Sequence, residues 1–368
     1  MTTAATINAT ISAAGSDTAV AMSPGEYRSD AVLLTPPPYS RGVSDLHHHD
    51  PRATVRAAGE FTVIDRATRG RAQPASVLLG PGDDAAIVRI DGGATVACLD
   101  MLVEHRHFRT DWSSGHDIGR KAIAQNAADL CAMGAVPVTF LVGLACPPDT
   151  PTSFTDALSD GLWAEAARFG AGISGGDLVQ GRDITVSVTA LGQMEGRDAI
   201  TRSGARPGDV VALAGATGRS AAGLHLLEHG SAPASAAEEE CIAVHRVPCP
   251  PYASALAAAR AGASSMIDIS DGLLSDLGHI ARASSVTIDI DLGSWQPCST
   301  VLAVAGAHQV DPWGWALDGG EDHAFAGTFG PRAPLPEGWS RIGTVSEGGP
   351  GVLVAGKPAA ARGWTSWT

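Results

Sequence analysis

Residues 266–292 read MIDISDGLLSDLGHIARASSVTIDIDL, and this stretch decides the fold class. MIDIS has the apolar, β-branched character of a buried strand, DGLLSDLGHIARASS reads as a helix, and VTIDIDL returns to strand. Strand, helix and strand in 27 residues, joined by small-residue turns, predict an α/β or α+β protein. The pattern extends outward. On the N-terminal side DVVALAGATG reads as a strand, SAAGLHLLEHG and YASALAAARAG as helices, and SAPASAAEEE as a loop or helix start. On the C-terminal side residues 313–368 read as short strands and loops around GGEDHAFAGTF and RIGTVSEGG. Further upstream, GEFTVIDRATRG is helix-like and SVLLGPGDDAAIVRI with GATVACLDMLVE suggests strand–turn–strand. DIGRKAIAQNAADLCAMGA and TDALSDGLWAEAARFG read as helices, and PVTFLVGLACP and DITVSVTALGQM as strands. TRSGARPGD is a turn-rich linker. The expected division is an extension over 1–58, a first α/β domain over 59–199 and a second over 200–368. The extension is rich in Ala, Thr, Ser and Pro and reads as loosely attached.

The aspartates in this frame share one setting, an apolar run followed by Asp and small residues. They are Asp83, Asp84, Asp100, Asp129, Asp177, Asp268 and Asp271. A carboxylate at the end of a buried strand or the start of a helix needs a cation or several donors to stay ionised. Any one of them is equally well explained as a helix cap or Asx turn. Together they point to one pocket holding a hard divalent cation such as Mg²⁺, which takes oxygen ligands and brings phosphates with it.

Composition narrows the function. The formal net charge of −14 argues against a nucleic-acid partner. No apolar run approaches a membrane span, and the N-terminus has no signal-peptide pattern. The six cysteines show no metal-ligand spacing and fit buried thiols in a reducing cytoplasm. There is no P-loop sequence. Gly172-Ile-Ser174-Gly-Gly176 matches the G-x-S-x-G of serine hydrolases, but a short match of this kind carries little weight in a glycine-rich chain. Gly215-Ala-Thr-Gly218 ahead of a helix fits either an anion cradle or a plain tight turn. His105 and His107 alternate as strand neighbours would, and His47-His48-His49 reads as a solvated run.

The ordered set GPGDDAA, LDMLVEHRHF, ADLCAMGA, GGD, RSGARPGD, GATGRSAAGL, IDISDGLLSDLGHIA and GGED resembles the thiamine-monophosphate kinase family, of the aminoimidazole-ribonucleotide synthetase-like ATP-binding superfamily. The resemblance runs from Gly59 to the end of the chain. It implies a two-domain synthetase-like kinase fold. The N-terminal domains of a homodimer would pair into a barrel-like core, with the C-terminal α/β domain flanking it. It implies Mg²⁺ ligands at Asp84, Asp100, Asp129, Asp177 and Asp268, a further metal contact at Asp271, and Asp83 as a weaker neighbour. ATP would be contacted by Gly176, Asp177, Arg202 and Ser270, and thiamine monophosphate by His107, Glu321 and Trp364. Asp129 and Arg202 would carry catalysis.

The implied reaction is transfer of the ATP γ-phosphate to a phosphate monoester that is already largely ionised, so no general base is required. Several positions depart from the family pattern. Cys98-Leu99 replaces a hydroxyl pair, Ala127-Ala128 replaces Leu-Ser, His105-Arg106 replaces Gly-Val, and His323 replaces Tyr. Two alternatives stay open. One is another ATP-using enzyme of the superfamily, although the cysteines that selenophosphate synthetase and the hydrogenase-maturation member need are missing. The other is a degenerate paralogue that binds without turnover.

Overall fold

The computed structural model describes residues 53–81, 86–90, 93–230 and 232–359. Asp83, Asp84, Trp364 and the His47–His49 run therefore lie outside the described residues. Part of the expected loose extension is folded. Helix α1 (Val55–Ala58) is capped by the Thr54 hydroxyl, and the Val55 and Arg56 amides donate to the Thr150 and Pro148 carbonyls. These backbone bonds fix residues 53–58 against the chain around residue 150, a contact no local composition rule reveals.

Helix α2 (Glu60–Thr68) precedes a small antiparallel ribbon of β1 (Val77–Leu79) and β2 (Ile87–Val88). Then come β3 (Thr95–Val103), α3 (Gly115–Ala132), β4 (Val136–Cys146), α4 (Thr152–Ala166), β5 (Gly172–Gln180) and β6 (Thr185–Gln193). The strands form a four-stranded sheet in the order β3-β6-β4-β5, antiparallel except for the β4–β5 pair. Strand β5 has no counterpart in the expected pattern, because its glycines hide the strand signal. The side chains of Val186, Val188 and Ala190 on β6 are wholly buried beneath the helices. The other face stays open, with Leu99 56%, Met101 47%, Leu141 36% and Val179 51% exposed.

Helix α3 begins with a capping box, in which the Asp117 amide donates to Ser114 Oγ and Asp117 Oδ2 accepts from the Ser114 amide. It is buried along most of its length because α4 lies almost in backbone contact with it. A Cβ on Gly119 would stand 2.1 Å from the Leu158 carbonyl, and one on Gly161 2.0 Å from the His116 carbonyl. Small residues at these crossings bring the two helices close. Glu165 on α4 is fully buried and ionically paired with Arg120 and Arg168, and it accepts from the Tyr252 hydroxyl at 3.1 Å. Removing one partner from such a network leaves the others without their counter-charge. Glu165→Ala is therefore expected to cost about 3 kcal/mol in urea denaturation, and an unchanged midpoint would refute this role.

The second half holds β7 (Val210–Ala214), α5 (Arg219–Glu228), α6 (Ala236–Arg246), α7 (Tyr252–Arg260), β8 (Ser265–Ile269), α8 (Leu273–Ser284) and β9 (Thr287–Ile290). It continues with α9 (Ser299–His308), α10 (Pro312–Asp318), β10 (Ala324–Phe329), β11 (Trp339–Ser346), β12 (Gly351–Val354) and β13 (Lys357–Pro358). The seven strands form one mixed sheet in the order β13-β12-β9-β11-β7-β10-β8. The opening stretch becomes β8, α8 and β9, as its pattern predicts. Helix α10 was not expected in 313–368. Its Asp311 side chain caps the Trp313 amide and Pro312 occupies the first turn. Tyr252 on α7 donates to Glu165 on α4, and Trp339 joins the same core cluster as Phe140 and Ile173, so the two halves share apolar core.

Candidate active site

The chain brings four of the expected aspartates to one place. Asp100 lies near the end of β3, on the buried side of the sheet, where its partner in register is Val188. Its amide donates to Asn126 Oδ1 at 3.0 Å. Asn126 is fully buried on α3, one turn before Asp129, and anchors itself by donating to the Ala122 carbonyl. Asp268 is the penultimate residue of β8 and Asp271 lies in the turn that leads to α8. Asp100 and Asp129 come within hydrogen-bonding reach of each other, and Asp268 adds its charge to both.

Electrostatics records this crowding. Burial, then the charges of Asp268 and Asp100, push the Asp129 carboxyl up to about 8. Burial raises Asp100 and Asp271 as well, with Asp268 adding to both. The Cys98 thiol, alongside on the same strand, is raised by burial and by Asp129 and donates to the Asn126 carbonyl at 3.4 Å. One counter-charge is built in. His323 Nδ1 lies 3.0 Å from Asp268 Oδ2, and although burial works against protonation, Asp268 raises the His323 pKa. One imidazole does not balance four carboxyls.

Divalent cations fit this donor set, because its groups are hard oxygens whose mutual repulsion burial makes costly. Among the described residues, no three of these side chains already close into a cage around one point. The set is a group of carboxyls that ions would draw together.

The turn after β8 is shaped by a residue the sequence reading missed. Asp276, in the first turn of α8, accepts from the Ser270 and Asp271 amides at 3.1 Å each. Burial and then Asp268 push its own carboxyl up to about 8. Gly272 completes the turn with φ +116°, and a Cβ there would stand 2.6 Å from the Asp318 carbonyl. Arg202 sits in a short 3₁₀ turn over Arg202–Gly204, with its carbonyl accepting from Ser284 Oγ. The pKa of His279 on α8 is lowered by burial and then by Arg202, while Asp271 opposes the shift, so His279 lies within the field of both.

His107 and Glu321 also meet. His105 has φ 65° and residues 105–107 turn, so the expected strand alternation of His105 and His107 does not hold. Val103 N–H donates to His107 Nδ1 at 3.0 Å. Lys121 on α3, 2% exposed, donates to the His107 carbonyl at 2.9 Å and to Glu321 Oε2 at 3.2 Å. Burial would raise the Glu321 pKa, but Lys121 and then His245 outweigh it and hold the carboxyl below its usual range.

Two remaining motifs resolve. Asp322 accepts from the Gly218 amide at 2.6 Å and the Ser220 amide at 2.9 Å, so the anion at the start of α5 is the protein's own carboxylate. Ser174 is buried inside strand β5, with no elbow turn to present it as a nucleophile. Gly176 and Asp177, by contrast, are exposed on β5. Asp177 follows the alternation of Val179 and lies on the open face, away from the Asp100–Asp129 side. Leu99 also points to that face, so of the Cys98-Leu99 pair only Cys98 borders the carboxyl cluster.

A family model described as AIR synthase related protein, N-terminal domain, matches residues 82–194, and its C-terminal-domain counterpart matches 206–317. The chain thus has the two-domain α/β fold of that group. A protein named thiamine-monophosphate kinase from Mycobacterium tuberculosis strain H37Rv is 51% identical over 316 residues, covering 85% of this chain and 93% of the relative. The chain belongs to the thiamine-monophosphate kinase family. Among solved structures, the thiamine-monophosphate kinase of Stenotrophomonas maltophilia K279a matches with TM-score 0.71 and 31% identity, over 81% of this chain and 95% of that one. AaThiL complexed with AMPPCP and TMP matches with TM-score 0.70 and 28% identity, over 84% and 97%. A hydrogenase maturation protein, HypE, at 16% identity and TM-score 0.61, shares the fold alone. The thiamine-monophosphate kinase family thus supplies relatives over most of this chain, on a fold that wider relatives also use.

Proposed function

We propose that this protein transfers the γ-phosphate of ATP to thiamine monophosphate, giving thiamine diphosphate and ADP. The observation that carries the reading is the partly buried Asp100–Asp129–Asp268 cluster in a chain of this family, since such carboxylates stay ionised together near neutral pH only with cations beside them, and those cations bring phosphates. An oxygen of the acceptor phosphate attacks the γ-phosphorus as the bond to the β-phosphate oxygen breaks and ADP leaves. The acceptor is already anionic, so no residue has to remove a proton, and the obstacle is repulsion between two phosphate groups. Bound Mg²⁺ would supply charge neutralisation and alignment, held by Asp84, Asp100, Asp129 and Asp268 with Asp271 beside them, while Asp177, on the open face of the sheet, would meet an ion only at a subunit boundary. Arg202, within the field of His279 on α8, would add a fixed positive charge toward the phosphates. Gly176 and Ser270 place backbone near the nucleotide, and His107, Glu321 and Trp364 receive the thiamine half.

A homodimer fits the open face of the four-stranded sheet. Leu99, Met101, Leu141 and Val179 form an apolar surface that water leaves unpaired, and a second copy of the same face would cover it. Asp177 lies on that face, so in such a pair it would act at the boundary between subunits. A cytoplasmic setting suits six free cysteines. Among the described residues no helix is long and apolar enough to cross a membrane. Because Leu99 turns away from the carboxyls, its side chain gives little support to the degenerate-paralogue reading. The test is purified protein with ATP, Mg²⁺ and thiamine monophosphate, assayed for thiamine diphosphate. Binding of both substrates without product would overturn the proposal.

A further inference from the structure

Lys121 is among the largest fully buried side chains of the protein, and the reaction as written gives it no task. Its ammonium has three N–H groups and three oxygen partners from separate parts of the chain. They are the His107 carbonyl at 2.9 Å, the Glu321 carboxylate at 3.2 Å and the His245 carbonyl at 3.4 Å. A buried ion pair is a poor device for stability, since apolar residues of the same volume do as well. Its oxygen partners, however, include Glu321 and the backbone of His107, two of the three thiamine-facing residues of the proposed function.

We propose that Lys121 is a positioning residue for substrate recognition, clamping the Glu321 carboxylate and the His107 loop into one preformed wall for a cationic heterocycle. The inference rests on the proposed roles of Glu321 and His107. The groups facing Glu321 are Lys121 from α3, His245 from α6, His107 from the turn after β3, and His323 from its own segment. His245 supplies no charge near neutral pH, because burial and then Lys121 push its pKa down to about 4. Burial also lowers His107, and His323 is committed to Asp268. Lys121 is thus the permanent cation bonded to Glu321 among the described residues. It keeps the carboxylate ionised and oriented before substrate arrives, which lowers the ordering cost of binding.

The test measures KM for thiamine monophosphate, kcat and their pH dependence in Lys121→Met, Lys121→Arg, Glu321→Gln and the Lys121→Met/Glu321→Gln double variant. In Lys121→Met, KM is expected to rise about tenfold or more with kcat within about threefold. Without its cation the Glu321 carboxyl shifts upward, so KM should worsen more steeply than in wild type as pH is lowered. Lys121→Arg keeps the charge and should restore the wild-type pH profile. The double variant lacks the stranded, half-buried carboxylate, so it remains measurable even if Lys121→Met folds poorly. Its KM should fall clearly below the product of the two single effects, because the Glu321 arm of the clamp is already lost and only the His107 arm remains to be broken. A double-variant KM equal to that product, or a Lys121→Met enzyme with wild-type KM and the wild-type pH profile, would overturn the clamp. A Glu321→Gln enzyme with wild-type KM would instead remove the role assigned to Glu321, and the clamp with it.

Discussion

Asp129→Asn is expected to lower kcat by roughly 10³-fold or more, about 4 kcal/mol of transition-state stabilisation, while the protein remains folded. The substitution keeps the shape of the side chain and removes one anionic oxygen donor from the cluster. Asp129 is the member whose charge the site resists most openly, its carboxyl pushed up to about 8 by burial, Asp268 and Asp100. In cation-free protein that shift has a definite sign. A carboxyl raised in the folded state favours folding at low pH and loses that contribution as pH climbs through about 8. The asparagine variant should therefore melt at or above the wild-type temperature near pH 8 without Mg²⁺. It should also gain less than wild type when Mg²⁺ is added, because bound ligand stabilises only what binds it. Turnover within about tenfold of wild type would refute the shared-carboxylate reading. A large fall in cation-free melting temperature would show that Asp129 serves packing instead.

Placing aspartates at both Leu99 and Met101 is expected to give a monomer and to raise any dimer dissociation constant at least about 10³-fold. Both side chains stand on the open sheet face at about half exposure, at 56% and 47%, and neither reaches the buried face. A monomer in the absence of a partner tolerates charge there, so the substituted chain should fold with little loss of stability. Sedimentation velocity reads the outcome directly. A wild-type monomer at micromolar concentration would end the pairing proposal. If Asp177 works across the subunit boundary, the monomeric variant should also lose activity in step with its loss of assembly.

Asp100, Asp129, Asp268 and Asp271, which the fold brings together, were legible in the sequence because a carboxylate following an apolar run is chemically conspicuous, whereas the same pattern also picked out Asp177 on the other face of the sheet. The strand–helix–strand reading of 266–292 needed only local pattern, and it holds. Other features depend on contacts that no local window contains. Asn126 and Lys121 sit mid-helix, where polar residues ordinarily face water, and burial by α4 and the second half gives them their roles. Asp276 looks like an ordinary first-turn acid until its bonds to the Ser270 and Asp271 amides are seen. Strand β5 is obscured by glycine, and α10 is too short, with Pro, Gly and two Trp, to show a periodicity. The open sheet face was also hidden. TVACLDMLV is apolar on both sides apart from Asp100, so local pattern does not say which face is left open, and only the family resemblance, with its paired N-terminal domains, pointed to a covered face.

The segment Glu321–His323 carries a constraint of its own. Glu321 and His323 both have positive φ, at 62° and 50°, an arrangement that costs roughly 1 kcal/mol or more at each non-glycine residue. What that backbone achieves is dispersal. Three consecutive side chains leave in three directions, Glu321 to Lys121, Asp322 to the start of α5 and His323 to Asp268. A one-residue insertion or deletion here would reassign every side chain to the wrong neighbour, even if each amino-acid type survived. The third side chain need only reach Asp268, but the length of the turn cannot change without moving Glu321 and Asp322 from their partners as well.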